Sequence, residues 1–208
     1  FRTFAWVAPF VLSLLVLVRG DPTPADKWTV IAQEKESALN AREVQIHPGE
    51  LLDSIADNSL SMVMIDVRPE ADYNLFHIDG AVNIQPADLP VYIENLLLNP
   101  NIGTTVHVVM SNDETLATQA WKTAVAESLP NSYILEGGIN NWLATFSADE
   151  PDIVPTPTPT DEMINFTFSA ALGGNFEASN PNPHHWELEY EPKIKLERKR
   201  GPSTGGCG

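Results

Sequence analysis

The sequence predicts an α/β domain with a parallel sheet and helices on both faces. One transmembrane helix is expected before the domain, and an extended tail with β character after it. Three observations predict this. Apolar runs at residues 61–66, 105–110 and 132–135 alternate with stretches of helical spacing, and strands alternating with helices imply a parallel sheet covered on both sides. A second apolar run fills residues 4–18, broken only by Pro9 and Ser13. Beyond a proline-threonine stretch, residues 164–169 and 186–196 alternate apolar and polar side chains with a strand's period of two.

The chain opens on Phe1 rather than methionine, so either a leader has been removed or the sequence continues upstream. The run at 4–18 is 15 residues long, and at about 1.5 Å per helical residue it falls short of a hydrocarbon core of about 30 Å. Thr3 can extend it, Arg2 and Arg19 can snorkel, and Trp6 suits an interface. Residues 1–20 are therefore expected to be a single-span anchor in the lipid bilayer. The alternatives are the apolar core of a signal peptide, for which Arg19-Gly20-Asp21-Pro22 is a poor cleavage site, and a buried core helix. The two arginines nearly balance. The acidic downstream chain with its Thr/Pro spacers favours the N-terminus inside and the domain on the periplasmic, extracytoplasmic side.

Residues 21–43 read as a spacer and connector. Asp21-Pro22-Thr23-Pro24 is short and stiff, and residues 27–42 have helical character with few large apolar side chains, as in a surface helix. The domain spans residues 44–146. His47-Pro48-Gly49-Glu50 resembles a helix start, with Leu51, Leu52 and Ile55 as its apolar stripe. Residues 61–66 predict a buried strand. Residues 87–98 predict a helix with Leu89, Ile93, Leu96 and Leu97 inward. The strand at 105–110 precedes a helix at 115–128, and the strand at 132–135 precedes a closing helix at 139–146. Residues 147–162 form a Pro/Thr-rich linker whose stretch 154–160 should be extended and semi-rigid without a core of its own. In the tail, residues 163–208, Trp186, Leu188 and Tyr190 share one face. Two strands alone are marginally stable in water, so the tail is expected to pack on the domain or on another protein.

Composition narrows the function. The net charge of −16 disfavours nucleic acid as a partner, and 43% hydrophobic residues support a core. With Cys207 alone, no intrachain disulfide can form. No cofactor motif is present. His184-His185 lacks a second pair at ligand spacing, so no metal is expected. Asn165-Phe166-Thr167 is a glycosylation sequon, meaningful only in a host that glycosylates exported proteins.

Two pairs of motifs stand at fixed spacing. The first half contains Met64-Ile65-Asp66-Val67-Arg68-Pro69-Glu70 and His77-Ile78-Asp79-Gly80-Ala81-Val82-Asn83-Ile84. The second contains Val106-His107-Val108-Val109-Met110-Ser111 and Leu135-Glu136-Gly137-Gly138-Ile139-Asn140-Asn141-Trp142. The stretch 61–142 resembles the rhodanese-homology domain family. That resemblance implies the rhodanese fold, with a persulfide-carrying cysteine ending the central strand in active members. Here Ser111 stands in the cysteine's place, and its spacing to Leu-Glu-Gly-Gly matches the usual one. The resemblance also implies that Asp66 and Arg68 fix the turn after the first core strand.

The catalytic loop so identified reads Ser111, Asn112, Asp113, Glu114, Thr115 and Leu116. A loop of this kind holds an anion with backbone N–H groups and a helix N-terminus. A serine hydroxyl stays protonated at neutral pH, needs an adjacent base to attack, and cannot carry a persulfide. Asp113 and Glu114 put negative charge where an anion would sit, costing about a few kcal/mol at an effective dielectric of about 20. Leu116 stands where active relatives often carry arginine. Residues 44–146 hold 13 acids and two bases, Arg68 and Lys122, for a net charge of −11 that would repel thiosulfate. His107 and His77 are the candidate bases for a serine nucleophile, but no Gly-x-Ser-x-Gly elbow exists.

The expected function is therefore a non-catalytic, membrane-anchored structural or interaction subunit of a larger membrane complex. Trp186, Tyr190, Lys193, Lys195 and Cys207 are the candidate tail contacts, and other subunits of the complex are the candidate partners. The basic cluster Lys193, Lys195, Arg198, Lys199 and Arg200, relieved by Glu197, is either a solvated run or a docking patch for an acidic surface. The alternatives are a sulfurtransferase or sulfur carrier using Cys207, and a small-ligand or peptide binding module using the degenerate Ser111 pocket.

Overall fold

The computed structural model describes residues 21–147, 152–158, 160, 162–168 and 179–196. Residues 1–20, Arg198, Lys199, Arg200 and Cys207 lie outside them, and so does the expected anchor. Among the described residues no helix is long and apolar enough to cross a membrane.

The elements run α1 (Pro24–Asn40), β1 (Gln45–Ile46), α2 (Pro48–Ala56), β2 (Ser61–Asp66), α3 (Glu70–Leu75), β3 (Val82–Asn83) and α4 (Leu89–Leu97). They continue with β4 (Thr105–Met110), α5 (Thr115–Ala126), β5 (Ser132–Leu135), α6 (Gly138–Phe146), β6 (Ile153–Pro155) and β7 (Phe166–Phe168). Strands β1 to β5 form one parallel sheet in the order β1-β5-β4-β2-β3. Strand β4 is central and buried along its whole length, which is why it reads as a continuous apolar run.

Successive side chains of a strand point to opposite faces, and β4 feeds two cores. Val106, Val108 and Met110 join Leu51, Leu52, Trp142, Leu143 and Phe146 beneath α2 and α6. Val109 joins Leu89, Ile93, Ala120, Trp121 and Ala124 beneath α4 and α5.

Four expectations are corrected. Asp21-Pro22-Thr23-Pro24 is not merely a spacer, because Thr23 N-caps α1 and shares a capping box with Asp26. Helix α1 buries no residue fully, yet it packs on α5 through Trp28 against Trp121 (6.1 Å between ring centres) and the Lys27–Glu127 pair. In α4, Leu97 is 38% exposed rather than inward, because it is the last residue of the helix and borders an open groove instead of the core. The start of the Pro/Thr linker is strand β6, antiparallel to β7, with Ile153 in the core. The alternation at 186–196 is real in burial but forms no ladder. The chain lies extended against α2 and α6 with Trp186 and Leu188 packed on the core. Helix α3 and strands β1 and β3 were not foreseen; each is too short for periodicity to register.

Candidate functional site

In an open parallel sheet the loops beyond the carboxyl ends of the strands meet where the strand order switches. Here the loop after β4 meets the turns after β2 and β5. Asp66 and Arg68, both fully buried, form the support. Arg68 Nη2 donates to Asp66 Oδ2 (2.7 Å) and to the Phe76 carbonyl (2.6 Å), and Nη1 donates to Asn112 Oδ1 (3.2 Å). The turn-fixing role expected of this pair is what the bonds describe, since the Arg68 amide also donates to Asp66 Oδ1 (3.0 Å).

Ser111 follows β4 and is 1% exposed. Its hydroxyl donates to the Asp113 carbonyl (2.7 Å) and accepts from the Ala117 amide (3.1 Å). Asp113 Oδ1 accepts from the Thr115 amide (2.7 Å), and Glu114 Oε1 accepts from the Gly137 amide (2.8 Å). These three main-chain N–H groups at the start of α5 and in the β5–α6 turn are the kind of donors an anion loop uses. Each is bonded by the chain's own side chains.

Glu114, with Glu136, is compensated from outside the domain. Arg42, in the connector, donates two bonds to Glu114 (2.7 and 2.8 Å) and one to Glu136 (2.7 Å). The bond to Glu114 raises the Arg42 pKa above its ordinary value. Its backbone is left-handed, with φ +59°. Asn112, 3% exposed, donates from Nδ2 to Asp72 (2.7 Å) and to the Glu162 carbonyl (3.2 Å). Thr115 is exposed and Leu116 packs partly buried against the α4–α5 core.

Neither candidate base meets Ser111. His77 stacks on Tyr73, 3.9 Å between ring centres, and its Nδ1 donates to the Tyr73 carbonyl (2.9 Å). His107, fully buried in β4, bonds the Pro130 carbonyl through Nδ1 (2.8 Å), and its Nε2 has no partner among the described residues. Burial pushes the His107 pKa below its ordinary 6.5, so the fold holds the ring neutral. The unfolded chain then binds the extra proton, and stability falls as pH drops below about 6.5. The expected result is a smaller loss of melting temperature on acidification in His107→Leu than in the parent chain. Equal slopes would show that His107 does not carry this dependence.

Among the described residues, Trp186, Tyr190, Lys193 and Lys195 contact the domain of their own chain. The Tyr190 hydroxyl bonds Asp53, and its ring stacks on His47 (5.6 Å between ring centres). Burial, then that bond, raises the Tyr190 pKa. Trp186 meets Phe146 edge to face at 5.2 Å. Glu50 Oε1 accepts from the Lys193 and Ile194 amides (2.7 and 2.6 Å), and the Lys193 amine donates to the Gln45 carbonyl (2.9 Å). Tyr133 Oη accepts from the Lys195 amide (2.6 Å). In the sequon, Asn165 is half-buried with its Oδ1 enclosed. A groove of about 1250 Å³ lies at the opposite end of the sheet, lined by Lys35, Leu97, Ile102, Tyr133, Lys193 and Lys195 but by no residue of the Ser111 loop. Among the described residues, no three His, Cys, Asp or Glu side chains group as a metal site.

Sequence reasoning missed Arg42, Asp72, Asn140 and Glu162. Only Arg42 carries a signal, as an isolated base in an acid-rich stretch.

Residues 47–145 match the family model described as Rhodanese-like domain, so this stretch is a rhodanese-like domain. No curated protein matches. Among solved structures, a protein of Bacillus halodurans is 17% identical over 54% of this chain and 80% of its own, with a TM-score of 0.43. A full-length protein of Lactobacillus plantarum is 24% identical over 54% and 92%, with a TM-score of 0.41. A thiosulfate sulfurtransferase of Pseudomonas aeruginosa is 19% identical over 59% and 22%, with a TM-score of 0.41.

Proposed function

We propose that this chain, built on the rhodanese-like domain at residues 47–145, is a non-catalytic structural or interaction subunit of a membrane complex. Residues 1–20 anchor it in the bilayer, and the domain faces the extracytoplasmic side. The observation that carries the non-catalytic reading is the buried Ser111 hydroxyl, tied at both ends to main chain of its own loop. A sulfur-carrying thiol is absent at that position, and Asp113 and Glu114 already accept the N–H groups that a sulfur anion would need. The anchor rests on the apolar run at 4–18 flanked by Arg2 and Arg19. The complex-subunit role rests on that anchor joined to a loop without a nucleophile.

Two measurements test the reading. Incubation with thiosulfate and then cyanide should yield no thiocyanate, and intact mass should show no added sulfur. Thiocyanate production that disappears in Cys207→Ala would replace this reading with a sulfur carrier. Mild-detergent extraction of native membranes followed by mass spectrometry should recover stoichiometric partners. Recovery of a lone chain would refute the subunit role.

A further inference from the structure

The stretch expected to be a free linker returns to the Ser111 loop. The Glu162 amide donates to Asp113 Oδ2 (3.1 Å), and its carbonyl accepts from Asn112 Nδ2 (3.2 Å). Asn140, on α6, completes the grip. Its Nδ2 donates to the Met163 carbonyl (2.8 Å), and its Oδ1 accepts from the Asn165 amide (2.7 Å). Three domain side chains thus hold four main-chain groups of one short segment. The three are fixed in turn, because the Asn140 amide donates to the Asn112 carbonyl (3.0 Å) and Asn112 is buried against Arg68 and Asp72.

Peptide-binding domains commonly read main-chain N–H and C=O groups for affinity and side-chain pockets for specificity. The same division holds here. Ile164, between the gripped residues, packs against the core under α2 and α6. The Asn165 carbonyl accepts from the Thr156 amide (2.8 Å), next to the β6–β7 ladder. Glu162 adopts φ +64°, a conformation that costs a non-glycine residue about 1 kcal/mol or more. The grip holds the residue there.

We propose that Asn112, Asp113 and Asn140 form a binding site for a peptide main chain that enters in a left-handed turn, occupied in cis by residues 162–165. The chain's own extension covers the loop mouth. Displacing that segment opens the site to a peptide of the same kind in trans.

The test uses the full chain. Glu162→Pro removes the donor to Asp113 and cannot adopt positive φ. Asn140→Ala removes the contacts to Met163 and Asn165 and leaves the loop intact. Amide exchange at residues 112–116 should quicken on the order of tenfold in Glu162→Pro, with a smaller rise in Asn140→Ala. A synthetic peptide of residues 160–168 should shift the Asn112, Asp113 and Asn140 resonances of Glu162→Pro saturably, and should leave the parent chain unchanged. Unaltered exchange in both variants, or no peptide binding by a folded Glu162→Pro chain, would overturn the proposal. If Glu162→Pro does not fold, exchange and peptide binding in Asn140→Ala decide it. The inference does not depend on the non-catalytic reading. The thiosulfate assay tests that reading through sulfur, and the amide resonances test the grip.

Discussion

Replacing Arg68 with methionine should cost about 3–5 kcal/mol of unfolding free energy, among the largest effects expected of one side chain here. The guanidinium is fully buried and joins Asp66, the Phe76 carbonyl and Asn112. Removing it leaves the Asp66 carboxylate enclosed with its counter-charge gone, and an uncompensated buried charge costs far more than the pair contributes. Asp66→Asn combined with Arg68→Met should therefore lose clearly less than the sum of the two single losses. Urea denaturation of the four chains measures this. Additive losses, or a single loss below about 1 kcal/mol, would show that the pair is not the keystone of the turn.

Gly138→Ala should be comparably severe, at about 4 kcal/mol or more. Gly138 has φ +63°, and a Cβ there would lie 2.4 Å from the carbonyl oxygens of both Ser111 and Asp113. Those atoms are main chain: the Ser111 carbonyl accepts from the Ile139 amide and the Asp113 carbonyl from the Ser111 hydroxyl, while the Asn112 carbonyl between them accepts from the Asn140 amide. Neither side can retreat without parting the loop from α6. Gly137→Ala is expected to cost less, because its new Cβ would meet one side chain, Asn141, rather than several main-chain atoms. A Gly138→Ala chain as stable as the parent would refute the close approach of loop and helix.

Both effects arise at motifs visible in the sequence. Asp66, Arg68 and the Gly137-Gly138 pair stand out there, and the turn-fixing role of the first two matches their bonds. The core was legible for the same reason. A central strand buried on both faces leaves an unbroken apolar run such as Thr105–Met110, and strands and helices of ordinary length impose their own periods. Where elements shrink to the size of α3 or β3, no period can develop, and the sequence is silent. The tail was half legible. The alternation of Trp186, Leu188 and Tyr190 did mark one buried side, but burial against helices and burial in a sheet leave the same pattern.

The candidate site divides along the same line. That the loop carries Ser111 with Asp113 and Glu114 is a property of the sequence by itself, as are the α/β order of elements and the acidity of the domain. What those carboxylates bond was decided by the tertiary structure. Arg42 reaches Glu114 across 72 residues and Glu136 across 94, and Glu162 reaches Asp113 across 49. Both Arg42 and Glu162 adopt left-handed backbone where they make these bonds. Composition and periodicity are local properties, whereas the partner of a charged or amide side chain depends on where distant loops return. So the serine that follows the central strand was readable from the sequence alone. That the loop donors are already bonded, and that the main chain of residue 162 bonds Asn112 and Asp113, was not.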